Sequence, residues 1–234
     1  MPTSAKATLL FDLDGTLTDP AIGITRSLQH AMTALGREPI DAEALRHRIG
    51  PPLRETFAAI LATDEVALIE QAVAHYRERY FDVGLYENMP YDGVHVMLDT
   101  LRARGHGLRV VTSKVLVAAR RIVEHFDLAR YFDDVHGSEL DGRFDDKGEL
   151  VAHVLTTSGA ACASCVMIGD RLYDIRAGRS NGVQTIGVMW GYGSAEELLE
   201  AGADTLCSSP HDIPAALARL PRIPTKACSG SPEH

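Results

Sequence analysis

The chain has 234 residues, enough for one domain carrying a large insertion or for two small domains. Apolar residues make up 45% and charged residues 24%, a globular balance that excludes wholesale disorder and fibrous repeats. With 32 acidic against 23 basic residues the net charge is −9, which argues against a nucleic-acid polymer as partner.

Taken in chain order, Ala7 to Phe11 is a short apolar run that ends at Asp12 and predicts a buried strand. The same run is too short for the core of a signal peptide. No other apolar run approaches the roughly 18–20 residues of a membrane span. The expectation is therefore a cytoplasmic protein with no membrane partner. Its four cysteines, Cys162, Cys165, Cys207 and Cys228, are then expected as ordinary thiols.

A turn follows at Asp14-Gly15-Thr16. Between Ile22 and Tyr80 the pattern predicts helices and no strand. Ile24, Leu28, Ala31 and Leu35 form one stripe at helical spacing, and Val66, Ile69, Val73, Tyr76 and Tyr80 form another. Ile49-Gly50-Pro51-Pro52 reads as a rigid loop between them. Beyond Pro90 helices and strands alternate. Strands are predicted at Leu108 to Val111, Val135 to Gly137, Val166 to Ile168 and Thr185 to Val188, with a helix between each pair. Such alternation implies parallel pairing and a three-layer α/β sandwich. The expected division is a core of residues 1–18 and 87–220, a helical insert at 19–86, and a tail at 221–234.

Three of the predicted strands end in polar clusters: Asp12-x-Asp14, Thr112-Ser113-Lys114, and Gly169-Asp170-Arg171 with Asp174. Ligands of open parallel sheets sit beyond the carboxyl ends of the strands, so the three clusters should meet in one crevice. Several carboxylates at one point need a cation, and an all-oxygen set favours Mg²⁺.

Asp12 and Asp14 lie two apart, on one side of an extended chain. Asp12, fixed at the strand end, suits a nucleophile, since a carboxylate is ionised without help. Asp14, on the turn, suits an acid that protonates a leaving alkoxide and then a base toward water. A phosphate monoester fits as electrophile if its charge is neutralised, with Lys114 and Lys147 as candidates. Thr112, Ser113 and Gly15 supply hydroxyls and backbone N–H groups suited to phosphate.

The motif set resembles the haloacid dehalogenase superfamily of phosphohydrolases. Asp12-Leu13-Asp14-Gly15-Thr16 matches its first motif, Thr112-Ser113 the second, Lys147 the third, and Gly169-Asp170-Arg171-Leu172-Tyr173-Asp174 the fourth. Asp19-Pro20, Ile49-Gly50-Pro51-Pro52, Gly137-Ser138 and Trp190-Gly191-Tyr192-Gly193 resemble its phosphoglycolate-phosphatase and bacterial 5′-nucleotidase-like branch. Val115 departs from that branch, which usually has proline after T-S-K. So does Ala177-Gly178, where Gly then Ala is usual.

The resemblance implies a Rossmann-like core with a helical cap inserted after the first strand. It implies an Mg²⁺-dependent phosphatase acting on a small phosphorylated metabolite, a 5′-nucleotide or phosphoglycolate-like ester, through an aspartyl-phosphate. Asp12 would be the nucleophile and Asp14 the general acid/base. Mg²⁺ would sit on Asp12, the Asp14 carbonyl and Asp170. Thr112, Ser113 and Lys147 would bind the phosphoryl group, with Asp174 supporting the metal water or Lys147. The cap would close over the site and select the substrate, and Arg48 and Arg54 are its candidate anion contacts.

A sugar-phosphate mutase of the same fold, a specialised biosynthetic phosphatase and a catalytically silent binding module are the alternatives. Mutases usually carry an aliphatic residue where Thr16 stands, and a silent module should have lost a motif residue. Dehalogenases lack the aspartate found at Asp14. Phosphonate hydrolases use a cap lysine, and residues 19–86 contain none.

Overall fold

A computed structural model describes residues 6–221. The expected tail and Cys228 lie outside the described residues. In chain order the elements are β1 (Thr8–Phe11), β2 (Thr18–Asp19), α1 (Ala21–Ala34), α2 (Ala42–Arg46), α3 (Leu53–Leu61), α4 (Val66–Asp82) and β3 (Met89–Pro90). There follow α5 (Val94–Ala103), β4 (Gly107–Val115), α6 (Leu116–His125), β5 (Asp134–Ser138), α7 (Lys147–Ser158) and β6 (Cys165–Gly169). The chain continues with α8 (Leu172–Ser180), β7 (Gln184–Val188), α9 (Ala195–Glu200), β8 (Thr205–Cys207) and α10 (Ile213–Ala216).

Six strands form one parallel sheet in the order β5-β4-β1-β6-β7-β8. β1 lies centrally and is buried on both faces, which is why it reads as a continuous apolar run. Leu9 and Phe11 join the cluster under α5 and α6, while Leu10 joins the one under α7 and α8. This is the expected α/β sandwich. Phe11 is level with Val110 of β4 and Ile168 of β6, so the polar residues that follow all three strands emerge at one edge.

Helices α1 to α4 leave the core after β2 and return through β3, and these two short strands pair with each other. Leu28, Phe57, Ile69, Val73, Tyr76 and Tyr80 are buried within this insert, in one apolar cluster continuous with the core. No helix among the described residues is long and apolar enough to cross a membrane.

The short strands β2 and β3 are not among the expected ones, and two strands of the main sheet also depart from expectation. β4 runs on to Val115, because the chain bulges after Thr112 and pairs again, Val115 with Ser138. β8 is a three-residue edge strand that sequence periodicity is too short to mark. Cys165 and Cys207 are buried free thiols, as expected.

Candidate active site

Asp12 continues β1, its N–H donating to Ile168 O at 2.9 Å. Asp170 follows β6 on the neighbouring strand, and Asp174 lies in the first turn of α8. One carboxylate oxygen from each of Asp12, Asp170 and Asp174 falls within 4.8 Å of the others, and all three residues are buried.

Lys147 opens α7, where the helix dipole disfavours a cation. Two carboxylates hold it there. Its Nζ lies 2.8 Å from Asp12 Oδ1 and also meets Asp174 Oδ1. Burial alone would lower this ammonium; Asp12 and Asp174 outweigh it and push the pKa up. Asp174 is fixed from its other side, where Oδ2 accepts the Arg171 N–H at 2.9 Å. Burial, reinforced by neighbouring carboxylates, pushes Asp170 well above the usual carboxylate range.

When all are ionised, the three carboxylates exceed Lys147 by two negative charges, the charge of one divalent cation. The donors are all oxygen, as a hard cation requires. Backbone packing leaves no slack around them. A Cβ on Gly15 or Gly191 would collide with the Asp170 carboxylate, and one on Gly169 with Asp174. Gly15 also has φ +83°, which favours glycine. Its N–H, expected to face phosphate, donates instead to Thr18 O at 2.8 Å. The contribution of Gly15 is thus the turn and the space for Asp170.

Asp14 stands apart from this group. Its Oδ2 pairs with Lys114 Nζ at 2.7 Å, and its Oδ1 is buried with no hydrogen-bond partner. Burial raises its pKa, against the opposing pull of Lys114. The two candidate lysines are therefore divided: Lys147 serves Asp12 and Lys114 serves Asp14.

A cavity with about 840 Å³ of empty space, its mouth included, opens above these groups. Asp12, Asp14, Thr112 and Ser113 line its floor, and Arg48, Arg54, Tyr76 and Tyr80 line it from the insert. Lys147, Asp170, Asp174 and Gly15 are buried and do not line it. Arg48 is exposed, and its guanidinium makes no ion pair or hydrogen bond among the described residues. Arg54 is occupied. It pairs with Glu70 at 2.5 Å and Asp145 at 3.2 Å, and donates to Leu140 O at 3.1 Å. It therefore joins the insert to the loop that precedes Lys147.

Three sets of contacts escaped sequence reasoning. Tyr76 and Tyr80 read as an apolar stripe, yet the Tyr80 hydroxyl accepts from Lys114 Nζ. Only their being tyrosines, not leucines, marked them. Arg171 of the core donates to Ile49 O of the insert and to Glu197 at 2.8 Å. The Trp190 to Gly193 loop braces the site from behind. Trp190 Nε1 donates to Thr16 O at 3.0 Å, and the Tyr192 N–H donates to Asp170 Oδ2 at 2.8 Å.

A family model described as haloacid dehalogenase-like hydrolase matches residues 9–188. The chain is 50% identical over 190 residues to a 5′-nucleotidase of Pseudomonas aeruginosa, covering 81% of this chain and 86% of that one. It is 37% identical over 195 residues to the tyrosine-protein kinase PtkA of Mycobacterium tuberculosis, covering 83% of this chain and 66% of that one. The crystal structure of a predicted phosphatase from Clostridium acetobutylicum matches with a TM-score of 0.88 at 36% identity, covering 92% of this chain and all of that one.

Proposed function

The chain belongs to the haloacid dehalogenase-like hydrolase family, and on that premise we propose that it is an Mg²⁺-dependent phosphatase working through an aspartyl-phosphate. The favoured substrates are 5′-nucleotides or phosphoglycolate-like metabolites, in line with the 5′-nucleotidase relative. One observation carries the reading: Asp12, backed by Lys147, and Asp14, held by Lys114, both line one cavity.

The Asp12 and Asp170 carboxylates and the Asp14 carbonyl would hold Mg²⁺, which when bound neutralises phosphoryl oxygens and relieves the repulsion among the carboxylates. Asp12 attacks phosphorus, forming an oxygen–phosphorus bond as the bond to the alcohol breaks. The departing oxygen takes its electron pair and a proton from Asp14. Water then attacks the same phosphorus and gives a proton to Asp14. The bond to Asp12 breaks, and free phosphate leaves. Lys147 orients Asp12 and offers its positive charge to the phosphoryl group, and the Thr112 and Ser113 groups bind its oxygens. The insert of residues 19–86 serves as the cap that excludes water and selects the alcohol.

The test is phosphate release over a panel of 5′-nucleotides, phosphoglycolate and sugar phosphates, with Mg²⁺ and with a chelator. Wild type should approach about 10⁴ M⁻¹s⁻¹ in kcat/KM on its best ester. Asp12→Asn and chelation should each abolish turnover. An active Asp12→Asn enzyme would exclude the aspartyl-phosphate, and transfer to a protein hydroxyl in place of phosphate release would move the reading toward the kinase-named relative.

A further inference from the structure

Lys114 is a buried ammonium that the proposed reaction does not use. Its side chain is 6% exposed, and it lies at the end of β4 among residues that face the cavity. Desolvating an ammonium is costly unless carboxylates or hydroxyls satisfy it. Here two groups do: Asp14 Oδ2 at 2.7 Å and the hydroxyl of Tyr80. Tyr80 belongs to α4 of the insert, not to the core. It is itself fixed, stacked on Tyr76 with centroids 5.0 Å apart, and Tyr76 packs edge-on against Phe57.

We infer that Lys114 is a positioning residue for Asp14, and that Tyr80 is the grip by which the insert completes it. The inference rests on the phosphatase reading. A free carboxylate rotates about its side-chain torsions and offers either oxygen. Lys114 holds Oδ2 and so fixes the torsions of the whole carboxyl group, which sets how it faces the leaving group. Oδ1 is the buried, unpartnered atom of the pair. Three residues thus run in series from the insert to the proton donor: Tyr80, Lys114, Asp14. Movement of the insert away from the core takes the Tyr80 hydroxyl off Lys114 and loosens the hold on Asp14. Proton transfer becomes efficient only with the insert seated, a coupling made by named side chains.

A rival role for Lys114 is direct neutralisation of the phosphoryl group. The leaving group separates the two. An alkyl alcohol needs a proton as its bond to phosphorus breaks, whereas nitrophenolate departs without one. The parameter to read is kcat/KM, which ends at the first irreversible step and so reports departure of the alcohol. Wild type, Lys114→Met and Tyr80→Phe are compared on p-nitrophenyl phosphate and on the best alkyl ester of the panel.

Lys114→Met should lower kcat/KM for the alkyl ester by about 10²-fold, the usual contribution of a placed general acid, and leave that for the nitrophenyl ester nearly unchanged. Its kcat on the nitrophenyl ester should still fall, because Asp14 also takes the proton of water in the second step. Tyr80→Phe keeps the ring and its stacking, so it tests the grip even if Lys114→Met does not fold. It should shift the ratio of the two esters in the same direction by a smaller factor.

Equal losses on both esters in Lys114→Met would make Lys114 a phosphoryl contact and overturn the inference. A Tyr80→Phe enzyme with the wild-type ratio would remove the insert's part in it. With wild type active and Asp12→Asn dead, those failures leave the phosphatase reading standing. Wild type inactive on every ester would sink that reading and this inference together.

Discussion

Lys147 and Arg54 each bridge two carboxylates, one in the floor of the site and the other in the insert above it. Lys147 sits between Asp12 and Asp174 with its side chain 5% exposed. Arg54 sits between Glu70 and Asp145 with 27% of its side chain exposed, and those partners are 44% and 29% exposed. Below the cavity the floor is backed by tightly packed glycines and the Trp190 to Gly193 loop. The insert's bridge is wet, and one of its partners belongs to the core. The same chemistry therefore does two jobs. In the floor it fixes atoms that must not move, and between insert and core it makes a contact that water can replace.

The largest effect expected from this contrast is that of removing each cation. Lys147→Met leaves buried carboxylates uncompensated and should cost about 3–5 kcal/mol, together with all turnover. Arg54→Met should cost below about 1 kcal/mol, because water and salt already screen its partners. Urea midpoints and phosphate release on the two variants measure both. Comparable losses of stability would break the comparison and make the insert's bridge as rigid as the floor.

Glycines extend the contrast at lower cost. A Cβ at Gly191 meets Asp170 and the Gly15 carbonyl, so Gly191→Ala overpacks the floor. About 1–3 kcal/mol should be lost, with a fall in kcat as Asp170 shifts. Gly36, beyond α1 in the insert, has φ +69° and open space around it. Gly36→Ala should cost only the left-handed backbone strain, about 1 kcal/mol, and leave kcat as it was. Thermal unfolding with parallel kinetics tests both, and a fall in kcat for Gly36→Ala would tie that remote turn to the site.

The floor was legible in the sequence because its physics is local. Central strands of a covered parallel sheet are continuous apolar runs, so the point where polarity begins marks the strand end, as at Phe11-Asp12 and Gly169-Asp170. Parallel register then does the rest: Phe11 level with Val110 and Ile168 brings the three ends together. The joint between insert and core was not legible, because its partners are far apart in sequence. Arg54 and Asp145 are 91 residues apart, and no spacing rule links them. The division of Lys114 and Lys147 between two aspartates depends on which strand end each reaches, and that needs the fold. Tyr80 reads as core in any periodicity argument, since only its ring periodicity is visible and not the fate of its hydroxyl. β2, β3 and β8, of two or three residues each, fall below the length at which a period exists.

The smallest effect distinguishes the two regions by pH. Hydrogen bonding to Arg54 lowers the pKa of Glu70 below the usual carboxylate range, despite partial burial. The unfolded chain therefore binds a proton at Glu70 before the folded one does as pH falls. The stability from this pair is complete above the unfolded value near about 4.3 and drains away as pH falls through the lower folded value. Because Glu70 is well exposed, screening keeps that stability below about 1 kcal/mol. Urea midpoints taken from pH 6 down to about pH 3 should fall less steeply in Glu70→Gln than in wild type. Raising the salt should flatten the wild-type curve toward the variant, since the pair is within reach of counterions. Identical acid slopes in the two proteins would mean that the Glu70 pair adds nothing to stability, and that the ion pair with Asp145, which ties Arg54 to the core, is the one that counts.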